Sequence, residues 1–235
     1  MERILLGAAM CLLLMLSVGY LAEKKTGIPV AAAAEVTEEV SAETAETVEA
    51  AELPLLVNRA HPLSKEYAPE IVAVAGQRVE GEKTAVEALE KMLADGETEG
   101  LRFVVCSGYR TEDEQRRLYL NQIQKKMAEG LPEAEACREA ERYSAVPGHS
   151  EHQTGLAFDI VAVQYQMLND GYADTPEARW LFAHAAEYGF ILRYPKGGEE
   201  TTGIAYEPWH YRYVGEAAEE ITRQGITLEE YCAGN

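Results

Sequence analysis

The chain has 235 residues, with 40 acidic residues against 21 Lys and Arg, and its formal net charge is −19 at pH 7. This length is enough for one sizeable domain with appendages but is short for two domains with separate cores. Affinity for nucleic acid comes largely from Lys and Arg contacts to phosphate groups. The charge therefore argues against a nucleic-acid partner.

Residues 1–22 predict an export signal or a membrane anchor, because an apolar run from Ile4 to about Ala22 follows Arg3. A run of ~20 apolar residues can cross a bilayer, whereas a cleaved signal peptide usually has ~7–15. The small residues 31–34 still offer a cleavage site, so both alternatives stay open. In either case we expect the rest of the chain to act outside the cytoplasm.

Residues 23–53 predict a solvated acidic spacer, since they are rich in Ala, Glu and Thr and show no clear periodicity. An amphipathic helix is the alternative, because Ala and Glu favour helices. The composition becomes globular near Pro54, so we expect one domain over 54–235. This domain contains the odd set Cys106, Cys137 and Cys232, which allows at most one internal disulfide bond, and Cys106 is expected to be buried.

Local signals in the first half of the domain predict two helices with a strand between them. Apolar residues at helical spacing predict a helix over 83–97, and Gly96 suits its C-terminal end. The β-branched run at 101–107 predicts a strand that enters a turn at Gly108. Thr111 with Glu114 three residues later forms a capping-box pattern, which begins the second helix.

The sequence of the second half of the domain predicts most of the strands. The expected elements are further helix over 132–145, a loop over 147–155, a strand over 156–163, a helix over 175–189, a strand, Gly-rich turn and strand over 190–214, and a closing helix over 215–225. Helices that cluster early and strands that cluster late indicate an α+β fold with a central antiparallel sheet flanked by helices.

Two histidines and two acidic residues in the second half suggest a catalytic metal site. His152, Asp159 and His210 offer three N and O ligands, and a catalytic zinc typically has three protein ligands and one open position. Glu207 is then free to act as a base. Pro208 allows a break before the strand, so that Glu207 on a loop and His210 at the strand's start can reach one ion.

Zinc can lower the pKa of its bound water from about 15.7 to about 7, which a histidine alone cannot do. Other divalent ions also accept such ligands. Each side chain taken alone is more often structural, and that interpretation is kept for His61, His149 and His184. Trp209 and Tyr211 are expected in the wall of the site or in the core.

Two motifs and their flanks resemble the VanY-type D-alanyl-D-alanine carboxypeptidases, within the zinc D,D-peptidases that share a fold with the hedgehog signalling domain. The resemblance covers about residues 54–230. The pattern S-x-H-x-x-G-x-A-x-D is met at Ser150, His152, Gly155, Ala157 and Asp159, and the pattern E-x-W-H at Glu207, Trp209 and His210. The resemblance implies a hedgehog/D,D-peptidase-like fold.

The resemblance also implies roles for individual residues. His152, Asp159 and His210 would bind Zn²⁺, Glu207 would be the catalytic base, Arg110 of "SGYRT" would stabilise the oxyanion, and Ser150 and Gln115 would contact the substrate. Ser150 has the alternative role of capping the loop. The implied activity is removal of the terminal D-Ala from peptidoglycan stem peptides outside the membrane, with membrane contact through residues 1–22 if they are retained.

Three alternatives to a carboxypeptidase follow from the same residues. A peptidoglycan endopeptidase would use the same zinc to cut within a stem or a cross-link. A dipeptidase acting on free D-Ala-D-Ala agrees less well with an exported chain. A non-catalytic cell-wall-binding module would keep the fold without turnover. Vancomycin resistance and ordinary wall maturation are both compatible with the carboxypeptidase activity.

Overall fold

A computed structural model of the chain describes residues 54–234. The predicted export segment and acidic spacer lie outside the described residues. The α-helices are α1 (Lys83–Thr98), α2 (Glu112–Ala128), α3 (Glu133–Ala140), α4 (Pro176–His184), α5 (Glu199–Thr202), α6 (Ala217–Gln224) and α7 (Leu228–Gly234). The strands are β1 (Ile71–Ala73), β2 (Glu80–Glu82), β3 (Phe103–Ser107), β4 (Ala157–Ala162), β5 (Phe190–Leu192) and β6 (His210–Tyr213). Within residues 54–234, no helix has the length and apolar character needed to span a bilayer.

The predicted antiparallel sheet contains four strands in the order β3-β4-β6-β5. All six residues of the inner strand β4 are buried. Phe158 and Ile160 of β4 join the main core, and because side chains alternate along a strand, Asp159 faces the other side of the sheet. The register pairs Asp159 directly with His210 of β6. The sheet thus places one carboxylate beside one imidazole, on the face away from this core.

The main core lies between the sheet and α1. Leu89 and Met92 of α1 are fully buried in the same cluster as Phe158. Burying one such side chain contributes about 1.5–3 kcal/mol, so this cluster accounts for much of the stability of the fold. Tyr211 belongs to this core and Trp209 packs against a second apolar cluster, as expected for wall or core residues.

The helix predicted over 83–97 is confirmed as α1, but Gly96 is not the residue that terminates it. The helix continues to Thr98, and Gly96 is buried inside its last turn. A Cβ atom at Gly96 would lie 2.6 Å from the ring of Phe103, so glycine is needed there for close packing against β3. Gly100, with φ of 87°, leads the chain out of the helix instead.

The other predicted elements are present, but they alternate along the chain, so the prediction that helices cluster early and strands late is wrong. The short helix α5 lies within the predicted Gly-rich turn, and α7 follows the helix that was expected to close the chain. The capping box of Thr111 and Glu114 begins α2, with hydrogen bonds in both directions. The stretch 147–155, predicted as a loop, contains a 3₁₀-helix over Glu151–Thr154. The helix predicted over 175–189 ends in a 3₁₀ segment of its own, Ala185–Tyr188.

A short hairpin of β1 and β2, which the sequence did not predict, supports the loops that flank the sheet. The backbone amide of Tyr109 donates to the Glu80 carbonyl at 2.6 Å, and the amide of Glu82 donates to the Gly155 carbonyl at 2.9 Å. Gly81 lies so close to Phe158 that a Cβ atom would be 2.4 Å from its ring. The hairpin thus fixes two segments that lead into the site.

The cysteines of the described residues are free thiols. Cys106 is exposed, so its predicted burial is wrong. The register of β3 against β4 shifts between Val105 and Ser107, and this bulge turns the intervening side chain outward.

Candidate metal and catalytic site

The structure brings the three predicted metal ligands together. His152 comes from the 3₁₀-helix before β4, Asp159 from β4 itself and His210 from the first residue of β6. Each of these residues is 4% exposed. One donor atom from each lies within 4.8 Å of the others, a group that can hold a metal ion.

A backbone contact fixes the tautomer of His152. Its Nδ1 lies 2.8 Å from the carbonyl oxygen of Gly108. A carbonyl only accepts hydrogen bonds, so Nδ1 carries the proton and Nε2 keeps a free lone pair directed at Asp159. Gly108 also packs closely against β2, since a Cβ atom there would lie 2.3 Å from the Glu80 carbonyl oxygen.

The donor atoms of this cluster suit a cation. Asp159 Oδ1 is buried and has no hydrogen-bond partner, although His210 Nδ1 is only 3.1 Å away. Burial disfavours charge on Asp159, but the neighbouring His210 imidazole, 3.1 Å away, holds the pKa of its carboxyl well below the ordinary value. Burial and the charge of Arg110 lower the pKa of His152 to about 4, so this ligand is neutral at pH 7.

Without a metal ion, a proton on His210 supplies the positive charge of the cluster. Burial opposes that charge, but the carboxylates of Asp159 and Glu151 raise the pKa of His210 to about 9. A divalent cation at this position would replace the proton. Two neutral imidazoles, one carboxylate and an unpartnered carboxyl oxygen are a donor set that zinc accepts.

Glu207 lies beside the cluster in the loop before β6, as predicted. A turn in which the His210 amide donates to the Glu207 carbonyl at 3.1 Å folds the side chain back toward the ligands. One carboxyl oxygen of Glu207 is 3.5 Å from His210 Nδ1, and 14% of the side chain is exposed. Burial, reinforced by Asp159, raises the pKa of Glu207 to about 8. A carboxyl group of this kind can exchange a proton near neutral pH.

Arg110 is held at the edge of the site by three side chains. Its guanidinium donates to Asp159 Oδ2 at 3.2 Å, to Ser107 Oγ at 3.0 Å and to Gln115 Oε1 at 3.0 Å. Gln115 is 1% exposed, and its amide nitrogen donates to the Ala145 carbonyl at 2.7 Å. Gln115 thus supports Arg110 from behind, and its predicted substrate contact stays a prediction.

Ser150 is buried directly before the 3₁₀-helix of His152. Its side chain makes no capping hydrogen bond, so the alternative role as a loop cap is wrong. The predicted substrate contact of Ser150 stays a prediction.

The remaining histidines have structural partners outside the cluster. His149 donates from Nδ1 to the Asn58 carbonyl at 2.9 Å, and among the described residues it does not belong to the group that can hold a metal ion. His61 lies 2.9 Å from the Asn58 side chain, and His184 lies 2.9 Å from Glu187. These contacts agree with the structural interpretation made from sequence.

A buried cluster of charges behind His210 was missed from sequence. Glu151, Arg193 and Arg212 are at most 2% exposed. Glu151 Oε1 accepts from Arg193 Nε at 2.8 Å and from Arg212 at 2.7 Å, and Arg193 also donates to Glu229 of α7 at 2.6 and 2.9 Å. One feature of the sequence could have indicated this cluster. Arg193 directly follows the apolar strand β5, and Arg212 lies between two tyrosines in β6.

A cleft adjoins the cluster through Tyr194, whose ring centroid lies 4.8 Å from that of His210. Tyr194 and His149 line this cleft together with Asn58, Val146 and Ile204. The cleft therefore offers a mixed polar and apolar surface next to the candidate metal ligands.

Comparisons with known proteins agree with this geometry. A family model described as VanY, D-alanyl-D-alanine carboxypeptidase, matches residues 78–216. A D-alanyl-D-alanine carboxypeptidase of Enterococcus faecalis is 40% identical over 181 residues, which cover 75% of this chain. The match spans 64% of that relative's own length, which is less than two thirds.

Two solved structures are similar along most of their length. VanYB in complex with D-alanine-D-alanine has a TM-score of 0.68 and 39% sequence identity, and the match covers 76% of this chain and 96% of that one. A mutant of the vancomycin resistance D,D-pentapeptidase VanY from the VanB-type resistance cassette, in complex with Zn(II), has a TM-score of 0.69 and 37% identity. That match covers 76% of this chain and 97% of the other.

Proposed function

The chain belongs to the VanY family of D-alanyl-D-alanine carboxypeptidases, and on that premise we propose that it is a zinc-dependent D,D-carboxypeptidase that removes the terminal D-Ala from peptidoglycan stem peptides. The observation that carries the proposal is the convergence of buried His152, Asp159 and His210, with Glu207 beside them. This substrate lies in the cell envelope, which agrees with the export signal or anchor predicted at residues 1–22.

In this proposal His152, Asp159 and His210 hold the zinc ion. When bound, zinc polarises the scissile carbonyl group and lowers the pKa of a water molecule to about 7. Two neutral imidazoles and one carboxylate leave a net charge of +1, so the site keeps its attraction for a carbonyl oxygen. The support for zinc is the donor set of this chain and the Zn(II) complex of the related VanY.

Glu207 is the proposed general base. It takes a proton from the attacking water and later gives it to the leaving amine of D-Ala. Glu207 lies next to the candidate ligands but is not one of them, and this position supports its role as a base. Its raised pKa agrees with a carboxyl group that both accepts and returns a proton.

Arg110 is the proposed stabiliser of the negative charge that develops on the substrate oxygen. A cation that is already oriented stabilises the transition state without further reorganisation. Gln115 and Ser107 provide that orientation. Ser150 and Gln115 are the proposed substrate contacts, and because both ends of the Gln115 amide have protein partners, its main contribution would pass through Arg110.

Product analysis tests the proposed reaction against an endopeptidase. The zinc-loaded chain is incubated with a stem pentapeptide, with a cross-linked dimer and with free D-Ala-D-Ala, and the products are identified by mass spectrometry. We expect free D-Ala and a tetrapeptide from the pentapeptide. Cleavage restricted to the dimer would favour the endopeptidase, and cleavage restricted to the dipeptide would favour a dipeptidase.

A substitution of Glu207 tests the non-catalytic alternative. Glu207→Gln should lower kcat by about 10²–10⁴-fold, because it removes the general base, while zinc remains bound. Glu200→Gln in α5 is the matched control, since Glu200 is exposed, and it should behave like the wild type. No turnover by the zinc-loaded wild type, with unchanged peptide binding in both variants, would favour a wall-binding module.

A further inference from the structure

The carboxylate of Glu151 faces the side of the His210 ring that points away from the candidate metal ligands. Glu151 Oε2 lies 3.6 Å from His210 Nε2. Both atoms are buried, and neither has a hydrogen-bond partner among the described residues. We propose that Glu151 is a positioning residue that fixes the tautomer and orientation of His210 for zinc binding, an inference that rests on the proposed zinc site.

Glu151 is itself held in one orientation. Arg193 and Arg212 both donate to its Oε1, at 2.8 and 2.7 Å, and both arginines are fully buried. These two bonds use one carboxyl oxygen and leave Oε2 directed at the imidazole. Because the charge of Glu151 is compensated by two guanidinium groups, it can stay ionised inside the protein.

An ionised carboxylate only accepts hydrogen bonds, so its neighbour Nε2 of His210 is the nitrogen that carries the ring proton. When a metal ion replaces the second ring proton, the lone pair of Nδ1 is free to bind it, and Nδ1 is the atom that lies 3.1 Å from Asp159. A carboxylate that accepts the second N–H of a ligating histidine fixes the ring and raises its basicity as a ligand.

The two histidines would thus be oriented in opposite senses. His152 binds the Gly108 carbonyl through Nδ1 and presents Nε2, whereas His210 faces Glu151 with Nε2 and presents Nδ1. The gap of 3.6 Å is longer than the ~2.7–2.9 Å of a charge-assisted hydrogen bond, so the inference requires a small rotation of the ring toward Glu151 when zinc binds. The rings of Tyr194 and His152, with centroids 4.8 and 4.9 Å from that of His210, keep such a movement small.

Zinc affinity separates positioning from a general structural role. The dissociation constant for zinc is measured by competition with a chromogenic chelator in the wild type, in Glu151→Gln and in Glu229→Gln. Glu229 is the matched control, because it also binds Arg193 but is not among the residues that contact His210. We expect affinity to fall about 10–100-fold in Glu151→Gln and to stay at the wild-type value in Glu229→Gln.

Equal zinc affinity in the wild type and Glu151→Gln, or the same loss in both variants, would overturn the inference and leave the proposed function intact. A wild type that binds no zinc would overturn both. The tautomer is tested without any variant by ¹⁵N NMR of the zinc-loaded wild type. A protonated Nε2 on His210 is expected, and zinc on Nε2 with a proton on Nδ1 would overturn the inference even if Glu151→Gln did not fold.

Discussion

Replacing Gly155 with alanine tests how the segment that carries His152 is held against the β1–β2 hairpin. Gly155 has φ of 76°, where a side chain costs about 1–2 kcal/mol. A Cβ atom would also lie 2.6 Å from the Glu82 amide nitrogen and 2.8 Å from Ile71 Cδ1, and such overpacking adds about 1–3 kcal/mol. Together these effects should lower the free energy of unfolding by about 2–5 kcal/mol.

Gly197→Ala is the matched control for this substitution. Gly197 has φ of 89°, but a Cβ atom added there would meet nothing within 4 Å, so only the backbone cost of about 1–2 kcal/mol applies. Urea unfolding followed by circular dichroism gives both values, provided that the m-value is unchanged. A loss for Gly155→Ala no larger than that for Gly197→Ala would refute the close approach as a cause.

Three further substitutions have defined outcomes. Arg110→Lys keeps the charge but loses the fixed hydrogen bonds, so kcat should fall about 10²–10³-fold with zinc content unchanged by elemental analysis, and full activity would contradict the oxyanion role. Asp159→Asn removes the anionic ligand. After both proteins are treated with a chelator, added zinc should restore the activity of the wild type but not that of the variant. Recovery of activity in the variant would exclude Asp159 as a ligand. Thr111→Ala should lower the free energy of unfolding by about 0.5–2 kcal/mol in urea, and no change would show that the capping box is unimportant.

Elements defined by local signals could be predicted from the sequence. The capping box at Thr111 and the proline that follows the Thr175 cap start their helices where expected, since each signal involves residues within one turn. The three candidate ligands were found because their spacing and residue types match a known motif. The register that pairs Asp159 with His210 then provides the geometry that the motif implies.

Features set by tertiary contacts could not be predicted. A glycine near the end of a helical segment usually marks the end of the helix. Gly96 instead lies inside the last turn of α1, where it allows close packing against Phe103. The exposure of Cys106 depends on a register shift between β3 and β4, which leaves no local pattern. The strands β1 and β2 have three residues each, too few for a periodic signal.

The charged cluster behind His210 also depends on tertiary contacts and could not be predicted from the sequence. Glu151 and Arg212 are 61 residues apart in the sequence, and each alone resembles a solvated surface residue. Only the fold places both of them, with Arg193, in an interior where the charges compensate one another. Side chains that act through a metal ligand could therefore be identified only from the structure, whereas the ligands themselves could be predicted from the sequence.

Anomalous diffraction at the zinc edge, from crystals of the zinc-loaded chain, would locate the metal ion relative to its three proposed ligands. We predict one zinc peak about 2.0–2.2 Å from His152 Nε2, from a carboxyl oxygen of Asp159 and from His210 Nδ1, with Glu207 close by but not coordinated. A peak at another site, or one that lacks any of these three ligands, would contradict this prediction.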